Sequence, residues 1–76
     1  DQHDYIEIVC MYRYPLKLTM RSGAIIEGTA LDTQRNDNKD ECIKIGYHGN
    51  EQLVILSEIK KLEVTEDNPH VKEVLF

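Results

Sequence analysis

Apolar and polar positions alternate most cleanly at residues 16–20. Leu16, Leu18 and Met20 fall on one side, Lys17, Thr19 and Arg21 on the other. Period two is the signature of a half-buried strand. Gly23 then supplies the backbone freedom that a tight turn needs. A second strand-like run covers residues 24–31 and carries Gly28 in its middle. A glycine inside a strand forfeits packing, so it marks a bend or a close backbone approach. The pattern predicts a hairpin over residues 16–31 whose second strand is sharply bent.

The segment before it fits two patterns. Ile6, Ile8, Cys10, Tyr12 and Tyr14 alternate as a strand would, and Ile, Val and Tyr favour strands. As a helix, Ile6, Val9, Cys10 and Arg13 would share a stripe. Asp4 would then serve as N-cap, with Glu7 at capping-box spacing. That spacing tilts the reading to a helix, which Pro15 would end by pushing Tyr14 out of the helical region.

Downstream, residues 32–40 read as a mobile, exposed polar loop, since the stretch has no apolar anchor. Residues 42–47 read as a third strand and residues 48–51 as a turn. The apolar run at residues 53–56 suggests a fourth, central strand buried on both faces. Residues 57–58 make a short connection, and residues 59–66 a fifth strand with Leu62 and Val64 inward. Residues 67–70 break the pattern. Residues 71–76 form a short edge strand through Val71, Val74 and Phe76, or stay loose. The expected architecture is mainly β: an N-terminal helix, then five to six short antiparallel strands curling into a small, strongly bent barrel.

Size limits this to one domain over residues 1–76. A chain so short buries only about 60% of the surface it exposes when unfolded. The balance of 14 acidic and 9 basic residues gives a net charge of −5. Broad binding to phosphate backbones needs a cationic surface, so the charge favours a basic protein partner or simple solubility. Cys10 and Cys42 are too few for a disulfide framework and read as buried free thiols of a cytoplasmic protein. No apolar run is long enough to span a membrane, and the first residues lack a signal-peptide pattern.

Catalytic constellations are missing. His3, His48 and His70 are not at metal-ligand spacing, and there is no phosphate loop or nucleophile elbow. Asp40 and Glu41 read as solvated carboxylates, and Ser22 and Ser57 have no base nearby in sequence. The expectation is a protein that is not an enzyme and needs no cofactor. Tyr5, Tyr12, Tyr14 and Tyr47 could stack on bases, but the cations are scattered among acids, so core or rim tyrosines are the plainer reading. Asp1, Asp4 and Glu7 gather carboxylates on the N-terminal segment. They either cap a helix or face Arg and Lys of a partner.

The strand–Ser22–Gly23–strand–Gly28–Asp32 order resembles the first half of the Sm motif. More narrowly, four motifs resemble the Rof family of Rho-binding antiterminators. They are Asp4-x-x-Glu7-Ile8-x-Cys10, Leu16-x-Leu18-Thr19-x-x-x-Gly23, Ala30-x-Asp32 and Glu58-Ile59-x-x-Leu62. The resemblance implies an Sm-like fold and inhibition of Rho-dependent transcription termination. It implies binding to the N-terminal OB-fold region of Rho, at or beside its primary RNA site, so that RNA is kept off. The family's helix acids fall on Asp4 and Glu7. Its partner-contacting loop falls on Arg35, Asn36 and Lys39, and His3 stands where the family can have Tyr. The basic and aromatic loop residues of ring-forming Sm proteins are replaced by the long polar run, which implies a monomer without direct nucleic-acid contact. The alternative is an Sm-like RNA-binding module, which would depend on the lysines rather than on Asp4 and Glu7.

Overall fold

The N-terminal segment is a helix, α1 (Gln2–Met11). In this computed structural model residues 2–69 and 72–76 are described, Gln2 and His3 by their backbone alone. The helix starts ahead of Asp4, so Asp4 is not its N-cap. It lies within the first turn, where its carboxylate meets the positive end of the helix dipole. Ile6 and Val9 are buried and Cys10 partly so, which is the expected inner stripe. Arg13 does not extend that stripe. It stands beyond the helix in the left-handed region at φ 53°. Its N–H donates to the Cys10 carbonyl at 3.2 Å, and the Tyr14 N–H donates to Val9 at 3.0 Å. This pair of bonds is a Schellman cap, and Val9 and Tyr14, at its two ends, belong to one core. Pro15 then prevents any continuation.

Six strands follow: β1 (Pro15–Met20), β2 (Ile25–Arg35), β3 (Glu41–Tyr47), β4 (Asn50–Ile55), β5 (Ile59–Val64) and β6 (Glu73–Leu75). One 3₁₀ turn (Leu56–Glu58) joins β4 to β5, as the short connection there predicted. All pairings are antiparallel, in the order β4-β3-β2-β1-β5-β6. Leu16, Leu18 and Met20 turn inward from β1 and meet Ile43, Ile45, Ile59 and Leu62 in one core, which Ile6 and Val9 close from the helix side. The β1–β2 turn has Gly23 at φ 94°, with Met20 N–H donating to Ala24 at 2.8 Å.

At Gly28 the backbone of β2 passes close against β3. A Cβ there would press on the Ile45 side chain and lie 2.7 Å from the Gly46 carbonyl oxygen. A bulge between Ala30 and Asp32 then shifts the register. Beyond it β2 continues through residues 32–35, which the sequence suggested would be loop. Thr33, Gln34 and Arg35 pair with Ile43, Cys42 and Glu41. The apolar residues that define this part of the hairpin are all on β3, so β2 can be polar and still be a strand.

Two further expectations change. β4 is an edge strand rather than a central one, with Leu53 38% exposed and only Val54 buried along it. The apolar run at residues 53–56 is divided between the end of that edge strand and the 3₁₀ turn, where Leu56 is buried. The strongly bent sheet also stops short of closing into a barrel: β4 and β6 stand at opposite edges of the sheet. β6 matches the expected edge strand, with Val74 buried and Phe76 packed on the core, while Val71 lies outside the described residues. Opposed on β5 and β6, Glu63 and Glu73 both reach Lys61 Nζ, at 3.7 and 3.4 Å. The cation offsets a cross-strand carboxylate pair that would otherwise repel.

Candidate partner-binding surface

Three of the residues singled out in the sequence, Glu7, Arg35 and Lys39, line the seam where the sheet stays open. Two adjoining clefts run along it, of about 300 and 500 Å³. They share Ile6 from α1, Arg35 from β2, Glu41 from β3 and Leu56 from the 3₁₀ turn. Glu7 stands on the wall of the smaller cleft. Arg21, Lys39 and Phe76 stand on the wall of the larger. Glu7 and Arg35, 28 positions apart, therefore border one groove because α1 packs against β2.

Arg35 is held loosely. Its Nη2 is 3.7 Å from Glu41 Oε1 and its Nη1 donates to the Lys39 carbonyl at 3.5 Å, with both side chains well exposed. An exposed pair of this kind contributes between nothing and about 1 kcal/mol, so it orients the guanidinium without consuming it. Lys39 sits in the left-handed region at φ 67°.

Asn36 behaves differently. Its Oδ1 accepts the N–H groups of Asn38 and Asp40 at 3.0 and 2.9 Å, and its Nδ2 donates to Asp40 Oδ2 at 3.3 Å. Its own N–H donates to the Asp40 carbonyl at 3.1 Å, and its carbonyl accepts from Lys39 at 2.9 Å. The side chain is the internal frame of the β2–β3 turn, so any part it plays toward a partner is through the loop shape it sets. Asp4 is exposed on the outer side of α1, three residues from Glu7. The side chain of His3 lies outside the described residues.

Arg21 is a charged groove residue that the sequence did not mark as a site residue. Its Nε donates to the Ser57 carbonyl at 2.9 Å and its N–H to Glu58 at 2.8 Å, which pins the β1–β2 turn to the 3₁₀ turn. Its polar position opposite Met20 was visible, but the 36-residue separation of its partner was not. The Cys10 thiol lies behind the helix, where burial and then the Asp32 carboxylate push its pKa up to about 11. A thiol so raised is inert as a nucleophile. Among the described residues no group of three or more His, Cys, Asp or Glu is placed to hold a metal ion.

The fold defines a class: small proteins made of one helix and an open antiparallel sheet. Over residues 1–76 the chain matches the family described as "Modulator of Rho-dependent transcription termination (ROF)". It belongs to the ROF family, which is one of regulators rather than enzymes. Among solved structures it is similar to "YaeO bound to Magnesium from Vibrio cholerae O395". The two share 38% identity and superpose with a TM-score of 0.92, over 100% of this chain and 99% of that one. No curated protein gives a significant match.

Proposed function

We propose that this protein inhibits Rho by direct binding to the N-terminal OB-fold region of the hexamer, at or beside the primary RNA site, and so keeps RNA off. Membership of a family of modulators of Rho-dependent termination supports Rho as the partner. The observation that carries the reading is the common groove: Glu7, Arg35 and Lys39 line one continuous surface, which joins the acidic helix to the polar loop. A net charge of −5 suits an RNA-binding surface, which must be basic. Binding involves one monomer per Rho protomer, in the cytoplasm and without cofactor or direct nucleic-acid contact. Among the described residues no helix is long and apolar enough to cross a membrane.

Purified Rho provides the test. Increasing amounts of this protein should displace a labelled single-stranded RNA from Rho, and Asp4→Ala and Glu7→Ala should each weaken binding by about 1–3 kcal/mol, as expected for losing one partner of a charge-assisted bond. Affinity should also fall as salt rises, as for any steered acidic-on-basic pair. If RNA instead travels with the complex, competition is the wrong mechanism. A double variant that binds Rho as the parent does would remove the helix acids from the interface.

A further inference from the structure

The outer face of α1 carries more than its acids. At about 100° per residue, Asp4, Glu7 and Met11 form one ridge, and Tyr5 and Tyr12, seven positions apart, form the next. Tyr5 is 42% exposed, Tyr12 51% and Met11 70%. Three large apolar side chains gathered on one short helix, beside its carboxylates, make the kind of patch that meets another surface. Tyr12 is moreover already ordered. Its ring stacks on that of buried Tyr14, at 5.5 Å between centroids and 22° between planes, within the segment whose backbone the Schellman cap fixes. A rigid exposed ring loses little conformational freedom on binding.

From this we infer that the exposed side chains Tyr5, Met11 and Tyr12, spread over the two ridges, set the affinity of the helix surface, while Asp4 and Glu7 steer the encounter. The inference rests on Rho being the partner. The occupant that fits is a protein surface presenting Arg or Lys. A cation can lie over an exposed tyrosine ring while its hydrogen bonds go to the neighbouring carboxylate, and the alkyl stem packs on Met11. Acids alone would attract any cationic surface; rings placed beside them select one that is also flat and partly apolar.

The two roles separate kinetically, because rim charges act on association and packed anchors on dissociation. The experiment is real-time binding of the full chain to immobilised Rho at low and high salt, for Tyr5→Ser, Met11→Ser and the double variant Asp4→Asn/Glu7→Gln. Tyr5→Ser and Met11→Ser should each raise the dissociation rate at least about fivefold, with association within about twofold and an unchanged salt slope. The acid variant should chiefly slow association and flatten the salt slope. Thermal melts confirm that each variant stays folded, and Tyr12→Phe, which keeps the stacked ring, should dissociate as the parent does. Parental dissociation rates for both Tyr5→Ser and Met11→Ser would overturn the inference while leaving Rho as partner intact. Failure of the unmodified protein to bind Rho would overturn the functional reading and this inference together.

Discussion

The two hairpins that share β2 are built on different principles. The β1–β2 hairpin is held from within: Leu16, Leu18 and Met20 are buried along it, and one backbone and one side-chain bond from Arg21 tie its turn to the 3₁₀ segment. The β2–β3 hairpin beyond the bulge has one apolar flank only, on β3, and its turn is organised by a single amide, that of Asn36. The difference teaches where this small protein can change. The first hairpin is replaceable only by something of the same shape. The second offers its polar strand and turn to solvent, next to the helix, at little risk to the core.

The strongest way to break that contrast is at Leu18, which is fully buried between Ile26 and Leu62 on the neighbouring strands. Leu18→Ala should lower unfolding free energy by about 2–5 kcal/mol in urea titration. Binding of the molecules that remain folded should be unaltered. Gly28→Ala comes next. The added methyl meets the Ile45 side chain and the Gly46 carbonyl, so β2 and β3 must part, at about 1–3 kcal/mol by the same measurement.

Asn36→Ala should do the reverse. Its stability loss should be about 1 kcal/mol, since the freed N–H groups are exposed and water can reach them. Its loss of Rho affinity, measured alongside, should exceed the loss in stability. Equal effects would mean that the loop shape is irrelevant to the partner.

The smallest effect is at Cys10. Its thiol is raised from 9.0 to about 11 in the folded protein. Folding therefore favours the protonated form, so this group's contribution to stability is intact below pH 9 and declines as the pH rises toward 11. At pH 8 its alkylation should be roughly a hundredfold slower than that of an unfolded thiol, in step with the thiolate fraction. A fast-reacting Cys10 would show that α1 lifts from the sheet.

These contrasts explain what could be seen in the chain beforehand. The alternation at Leu16, Leu18 and Met20 is legible because each inward residue is apolar and each outward one polar. The same rule is blind at residues 32–35, where the strand exists because Ile43 and Cys42 are buried on the two faces of β3 and Thr33, Gln34 and Arg35 merely complete the ladder. It misleads at residues 53–56, where one apolar run serves two elements and Leu53 remains partly exposed. At the surface, the Asp4–Glu7 spacing was readable as two charges on one helix. Their neighbourhood was not. Nothing in local sequence brings Glu7 to the groove that Arg35 lines, because that depends on α1 packing across β2. The inward commitment of Asn36 was equally hidden, since a loop asparagine reads the same whether its amide faces a partner or its own turn.

β6 is three residues long and pairs through three register positions, yet Phe76, just past its end, forms one wall of the larger groove. Short edge elements have the lowest local opening free energy in a domain, and their amides exchange with solvent long before those of the central strands. The groove therefore has one wall with the lifetime of the whole fold and another that detaches on its own, faster clock. A ligand that bridges both walls would be felt first as slowed hydrogen exchange at Glu73, Val74 and Leu75, well before any change in the melting temperature.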